Sequence, residues 1–156
     1  MKNIEKLIVS ILVCQLVGFF GSLVTLPAIP TWYQTLEKPT FNPPSWVFGP
    51  VWTTLFLLMG ISAYLIWKKG LKNQKVKIAL LIFLVQLGFN FFWSFLFFSL
   101  HSPFLALVDI ILLWLAILAT IISFWKLAKP AAYLLFPYLF WVSFAAVLNY
   151  FIYRLN

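Results

Sequence analysis

Apolar residues run through this sequence in five long blocks, separated by short clusters of charged residues, prolines and small polar residues. A helix rising 1.5 Å per residue needs about 20 apolar residues to cross a hydrocarbon core of roughly 30 Å. Each block reaches that length. The pattern predicts helices over 4–26, 46–67, 78–100, 104–127 and 131–153. Pro27 is expected to stop the first helix, and Ser102-Pro103 to open the fourth. Pro137 lies inside the fifth block, which predicts a kink and an unpaired carbonyl. Connections after helices 2, 3 and 4 are short. The first, 27–45, is long and carries five prolines together with Trp32, Tyr33 and Phe41. Rings of that size are out of place in a solvated tether, so the segment reads as a lid over a binding site. The predicted fold class is an all-α integral membrane protein, one domain over 1–156, built as a five-transmembrane-helix bundle.

Composition agrees. The chain is 64% hydrophobic and 9% charged, whereas a soluble domain carries about 25% charged residues. A net charge of +8 raises the question of nucleic acid. The basic residues sit at the ends of apolar blocks and form no amphipathic basic face, so no nucleic-acid partner is expected. Nine of them fall on the N-terminal side of the membrane, and only Lys38 and Arg154 on the other. By the positive-inside rule, a bacterial cell membrane would hold the N-terminus in the cytoplasm and the 27–45 loop outside. The first block is read as a retained helix, because no signal-peptidase-like small-residue site follows it. Cys14 and His101 are each the sole residue of their type. That leaves no intramolecular disulfide and no expected metal site. No phosphate-binding loop or nucleophile elbow is present, and no cofactor is expected.

Polar groups are costly in lipid, about 2.5–3.5 kcal/mol for a central Asp on insertion scales, so those within the blocks are informative. They are Gln15, Gln86, Asn90, Asp109 and Asn149. Counted at 1.5 Å per residue, Asp109, Asn149 and Trp52 lie about 6–9 Å below the lid-side ends of their helices, and Asn90 and Gln15 about 15–16 Å. All fall in the leaflet beneath the long loop. Helical spacing adds three stripes: Gln86, Asn90, Trp93 and Phe97; Trp52, Phe56, Gly60 and Ala63; Trp141, Ala145, Leu148 and Ile152. Two readings fit them. One is a pocket for a flat aromatic ligand; the other is ordinary packing with interhelical hydrogen bonds. Hydrogen bonding suits Gln15 and Gln86 better, while Asp109 and Asn90 fit either. Trp67 and Trp125, beside Lys68 and Lys126, belong to an aromatic belt, and Cys14, Gly18 and Ser22 form a small-residue ridge for close helix packing.

The ordered motifs Trp32-Tyr33-x-x-Leu36-x-Lys38-Pro39-x-Phe41-x-Pro43-Pro44, Gly49-Pro50-Val51-Trp52, Gln86-Leu87-x-x-Asn90-x-x-Trp93, Ala106-Leu107-Val108-Asp109 and Pro137-Tyr138-Leu139-x-Trp141-x-x-Phe144-Ala145-x-x-Leu148-Asn149-Tyr150 span nearly the whole chain. They resemble the tryptophan-rich sensory protein/translocator protein family (TspO/MBR), the peripheral benzodiazepine receptors. The resemblance implies a homodimeric five-helix bundle whose ligand pocket is capped by the first loop. It implies ligands such as protoporphyrin IX or a haem-like tetrapyrrole, isoquinoline carboxamides and benzodiazepines, and in animals cholesterol. Carried across by motif, Trp52, Asn90, Trp93, Asp109, Trp141, Phe144, Ala145 and Leu148 would line or buttress the pocket, and Trp32 and Phe41 would belong to the lid. Phe41 stands where the family usually has Trp, keeping the aromatic face without the indole N–H. Val147, Tyr150 and Arg154 match a proposed sterol pattern; an interfacial Tyr with a snorkelling Arg is the preferred account of them.

Three functions remain open on these residues: a porphyrin receptor or sensor that modulates tetrapyrrole levels, a light-dependent porphyrin-degrading enzyme, and a porphyrin or lipid transporter. No acid–base pair supports conventional catalysis; the resemblance implies that an enzyme of this family would work by light-driven tryptophan chemistry, at the positions Trp52 and Trp141 occupy. Transporters commonly carry internal repeats and broken helices, and no repeat is evident here. The receptor or sensor is the reading preferred from sequence.

Overall fold

The computed structural model describes all 156 residues, and no strand forms. Six α-helices make up the chain: α1 (Asn3–Ala28), α2 (Phe48–Trp67), α3 (Gln74–Ser94), α4 (Pro103–Trp125), α5 (Lys129–Tyr133) and α6 (Phe136–Leu155). With the flanking turns they give five helical segments long and apolar enough to span a membrane, the fifth being α5 and α6 together. This is an integral, multi-pass architecture. One end of the bundle carries the N-terminus and most of the lysines (the lysine end). The other carries the loop between α1 and α2 (the lid end).

The helix boundaries depart from the expected ones for local reasons. Pro27 does not stop α1, which continues to Ala28. A proline in the final turn forfeits one hydrogen bond, and Ile29 N–H still reaches the Thr25 carbonyl at 3.2 Å. The third helix starts at Gln74, not Ile78, because the Asn73 side chain caps it by accepting from Lys75 N–H at 2.9 Å. Its lysine-bearing first turn lies beyond the apolar run, where hydropathy carries no signal. The third span ends in a π-helical turn, Phe95–Ser99. His101 then takes a left-handed conformation, φ 52°, and Ser102 N–H closes on the Leu96 carbonyl at 3.1 Å. α4 opens as expected, with Ser102 Oγ accepting from Leu105 N–H at 3.2 Å and Pro103 in the first turn. It ends at Trp125, not Leu127.

Pro137 disturbs the fifth span as expected, and the structure places the interruption just before it: α5 ends at Tyr133 and α6 begins at Phe136, with Leu134 and Leu135 between them still right-handed helical. A proline ring collides with the carbonyl four residues earlier. The helix stops short of that conflict and restarts at Phe136, leaving Pro137 in the first turn of α6. Its missing N–H then falls among donors that have no intrahelical partner in any helix.

Around the bundle α1 packs on α2 and α3, α3 on α4, and α4 on α5 and α6, while α2 closes the ring against α5. Toward the lysine end the packing is close. A Cβ on Gly60 would lie 2.7 Å from the Ile11 backbone, so α1 and α2 meet there with nothing between them. Ser62 Oγ donates to the Ala131 carbonyl at 2.7 Å, fixing α2 to α5. Phe83 and Phe124 stack at 5.9 Å between α3 and α4, and Ile66, Val76, Ile117 and Phe124 are fully buried. The outward faces are apolar as well: Ile8, Leu12 and Leu16 on α1, Leu81 and Leu84 on α3, and Ile111 and Leu115 on α4 are all exposed. A surface of that kind suits a lipid environment.

The lid is an ordered strap. Its 3-10 turns, Tyr33–Thr35 and Ser45–Val47, are tied down at separate points. Trp32 lies flat on His101 with centroids 4.5 Å apart and meets Phe97 edge-on at 5.4 Å. The Lys38 ammonium sits 4.6 Å above the Tyr33 ring. Phe41 packs on Phe151 and Phe144 of α6 at 5.5 and 6.3 Å. The Asn156 side chain accepts from Glu37 N–H at 3.1 Å and donates to the Glu37 carbonyl at 2.9 Å.

Candidate functional site

At the lid end the helices separate around a cavity of about 570 Å³. The separation follows from the two features just described. α2 is held to α5, and the break before α6 lets the fifth span turn away from α2. The space left is faced with rings. Phe48, Trp52 and Phe56 recur along one side of α2, and Trp93 and Phe97 come from α3 and its π turn. α6 contributes Trp141, Ala145, Leu148 and Ile152 at successive turns of one face. From α1 come Gln15, Gly18, Ser22 and Thr25, with Ile29 just past its end, again one face, whose small residues leave room where the other walls are bulky. Tyr33, Asn42, Ser45 and Trp46 of the lid close the top.

Few polar atoms are available in it, and most are engaged. Asn90 Nδ2 donates to the Tyr138 hydroxyl at 2.7 Å, which in turn donates to Gln86 Oε1 at 2.6 Å. This chain ties α3 to α6 beneath the cavity and satisfies groups that would otherwise be costly in lipid. Trp93 Nε1 donates to Asn149 Oδ1 at 2.9 Å, and Asn149 Nδ2 to the Pro103 carbonyl at 2.9 Å, joining α3, α6 and the start of α4. Trp52 and Trp141 differ, since their indole N–H groups donate to no protein acceptor although both rings line the cavity. They are the natural donors for a polar edge of a flat ligand. In the lid, Tyr33 and Asn42 hydrogen-bond at 3.2 Å. Burial pushes the Tyr33 phenol above its ordinary value, and the Asn42 hydrogen bond partly offsets this.

The cavity also has a side opening. Phe19 and Leu26 of α1, Trp46 of the 3-10 turn that ends the lid, and Gly49 and Thr53 of α2 line it and are exposed on the outer surface of the bundle. The opening therefore lies between the lid-side halves of α1 and α2, facing lipid. Gln15 Nε2 closes its lower edge by donating to the Thr53 carbonyl at 3.1 Å.

Of the residues singled out from sequence, Trp52, Asn90, Trp93, Trp141, Ala145 and Leu148 converge on the cavity. Trp32, Phe41 and Phe144 do not line it; they form the contacts that hold the lid on α6 and on the end of the third span. Asp109 is buried behind the wall, and its Oδ2 is sealed away from any hydrogen-bond partner, the one buried side-chain atom in the chain left so. Val147, Tyr150 and Arg154 lie on the exposed face of α6, away from the cavity. No three His, Cys, Asp or Glu side chains converge anywhere. Tyr138, Asn42, Trp46 and Phe48 were not singled out, and Tyr33 stood out only as a ring of the lid. Tyr138 left a trace, since Gln86 and Asn90, one turn apart on α3, both need a partner from a facing helix.

The sequence profile of the TspO/MBR family matches residues 10–154. The chain is 48% identical over 155 residues to the tryptophan-rich protein TspO of Archaeoglobus fulgidus, covering 99% of both chains. It is 41% identical over 126 residues to the human translocator protein, covering 80% of this chain and 75% of that one. To the tryptophan-rich sensory protein of Cereibacter sphaeroides it is 38% identical over 125 residues, covering 80% and 77%.

Proposed function

The chain belongs to the TspO/MBR family, and from that premise we propose that it is a membrane receptor or sensor which binds a porphyrin, protoporphyrin IX or a related flat tetrapyrrole, in the cavity under the first loop. The family supports a membrane sensor or transporter in general terms. The observation that carries the finer reading is the cavity itself: aromatic on three walls, about 570 Å³, and within the roughly 300–1,000 Å³ usual for small-molecule sites. A planar macrocycle gains offset or edge-on ring contacts from Trp52, Trp93 and Trp141, and the unpartnered indole N–H groups suit its polar edge. Such a ligand dissolves in lipid, and the opening between α1 and α2 offers it a route that leaves the lid closed. In this reading the lysine asymmetry keeps the N-terminus in the cytoplasm and the lid outside.

A second reading has one observation in its favour. Trp52 and Trp141 both face the same cavity, so a photoexcited porphyrin held there would lie against two oxidisable rings, and with dissolved dioxygen as the terminal oxidant the protein would consume its ligand in light.

Titration of purified protein with protoporphyrin IX in the dark, followed by tryptophan quenching, tests the first reading. Saturable quenching that weakens in Trp141→Ala is expected, and its absence would remove porphyrin as the ligand. The same samples are then illuminated. Porphyrin loss above a protein-free control that vanishes in Trp141→Phe, with dark binding intact, would make the protein an enzyme; equal loss in both would leave a receptor.

A further inference from the structure

A second concavity, about 400 Å³, lies at the opposite end of the bundle. It is a furrow between α1 and α3. The two helices touch near the lid end, where a Cβ on Gly21 would meet Ser94 Oγ at 3.4 Å. Toward the lysine end they diverge, and α2 shows between them. Small side chains make the floor: Cys14 and Ser10 of α1 and Ala63 of α2. Val13, Leu81 and Leu84 form exposed rims. The furrow is open along its length to the surrounding lipid, and it is separate from the tryptophan cavity.

Its mouth has a different character. Lys77 lines it, Trp67 stands beside it, and Lys6 is held over the Trp67 ring at 5.8 Å. Lys2, Lys72 and Lys75 lie at the same end of the bundle. The only carboxylate there is Glu5, whose Oε2 accepts from Lys2 N–H at 3.3 Å. Ser10 lies about 10 Å along α1 from its start, just inside the hydrocarbon boundary. Read from the mouth inward, the furrow offers ammonium groups, then a hydroxyl, then an apolar trough. An anionic phospholipid has the same order: phosphate, ester, acyl chain.

We propose that the furrow is a binding site for one anionic phospholipid of the leaflet at the lysine end, with the headgroup phosphate on Lys77 and Lys6 and an acyl chain along Ala63, Cys14 and Leu84. Charge fixes the class of occupant. An acyl chain alone would be exchanged for any neighbour, whereas the basic mouth selects a negative headgroup by about fivefold per lysine. A bound chain also fills space that the divergence of α1 and α3 leaves empty, so the lipid would stiffen the lysine end of the bundle.

Native mass spectrometry of the full chain in detergent tests this, with phosphatidylglycerol and phosphatidylcholine of identical acyl chains. Preferential retention of one phosphatidylglycerol is expected, falling about fivefold in Lys77→Gln and unchanged in Lys129→Gln, which removes a charge from the same end but far from the furrow. Ala63→Leu, which fills the floor, should reduce retention of both lipids; Lys77 is exposed, so its variant reports even if Ala63→Leu does not fold. Equal retention of the two lipids, or equal losses in Lys77→Gln and Lys129→Gln, would reduce the mouth to diffuse surface charge and overturn the proposal. A lipid-free dimer broken by Leu81→Lys would overturn it too, by assigning the furrow to a second copy of the chain.

Discussion

The two ends of this bundle use similar materials for opposite purposes. At the lysine end α1 and α2 meet backbone to backbone at Gly60 and Ile11, and stacked phenylalanines and fully buried aliphatics fill the space between α3 and α4. At the lid end Gly18 faces a ring, that of Phe56, and the aromatic side chains border a void instead of filling one. Buried hydrogen bonds between helices follow the same division: one side-chain bond to a backbone carbonyl fixes α2 to α5, while the Asn90–Tyr138–Gln86 chain and the Trp93–Asn149 pair gather near the cavity. An apolar bundle in lipid has little hydrophobic drive between its helices. A cavity can persist in it only if the walls are held elsewhere, by a clamp at one end and by polar ties beneath the space.

Replacing glycine by alanine at the two ends tests this most sharply. In Gly60→Ala the new methyl would meet Ile11 Cα and N at 2.7 and 3.1 Å. Backbone cannot step aside, so α1 and α2 must part, at a cost of about 1–3 kcal/mol or more. A clear fall in thermal unfolding temperature in detergent is expected, with Gly88→Ala, where no atom lies within 4 Å, neutral or slightly stabilising. An unchanged midpoint for Gly60→Ala would refute the clamp.

Tyr138→Phe comes next. It strands the Gln86 carbonyl oxygen and the Asn90 amide beneath the cavity. Bonds of this kind in membrane helices are worth about 0.6 kcal/mol each on average and up to about 1.7, so a loss of roughly 1–3 kcal/mol is expected for the pair. Ser143→Ala, which strands only the half-buried Trp114 indole, should lose less. Comparable losses would mean that the polar chain beneath the cavity holds the walls no better than a tie at the periphery.

Much of this architecture was legible in the sequence, because hydropathy over five blocks reports directly on what lipid demands of a helix. The position of the interruption, at Leu134–Leu135, was not. A proline announces that a helix is disturbed, but whether it kinks or restarts depends on whether α2 and α4 hold the preceding turn separately, as they hold α5. The cavity walls were half legible. Periodicity placed Trp52, Asn90, Trp93, Trp141, Ala145 and Leu148 on inward faces, and inward faces are where walls come from. It could not tell a wall from the layer behind it, which is where Asp109 lies, nor say which lid rings point in. Trp32 and Phe41 turn to neighbouring helices while Tyr33 and Asn42 face the cavity, a choice made by contacts with His101, Phe144 and Phe151 that are far away in sequence.

Gly18→Ala is the lid-end counterpart of Gly60→Ala and should behave differently. Its methyl would meet Phe56 Cδ2 and Cε2 at 2.7 and 2.8 Å, and a ring beside a void can swing where a backbone cannot. The unfolding temperature should barely move. The displaced ring enters the cavity, and porphyrin affinity should fall by several-fold, the scale of about one aromatic contact. Destabilisation equal to that of Gly60→Ala would show that the lid end is packed as firmly as the other.

The smallest effect expected is that of Trp32→Ala, and it separates the lid from the walls. The substitution removes the stack on His101 and the edge contact with Phe97, each worth about 0.5–1.5 kcal/mol. These contacts hold a strap whose remaining ties, at Phe41 and at Asn156, stay in place. Local opening should become more frequent without any change in the global transition. Amide exchange in residues 33–42 should accelerate by roughly tenfold, in line with the energy of one such contact, while the unfolding midpoint stays put. Ligand kinetics then decide what the strap is for. If ligand leaves between α1 and α2, its dissociation rate in Trp32→Ala will match wild type even as the lid loosens. If dissociation accelerates in step with exchange, the lid is the gate, and the opening toward lipid is only a gap between helices.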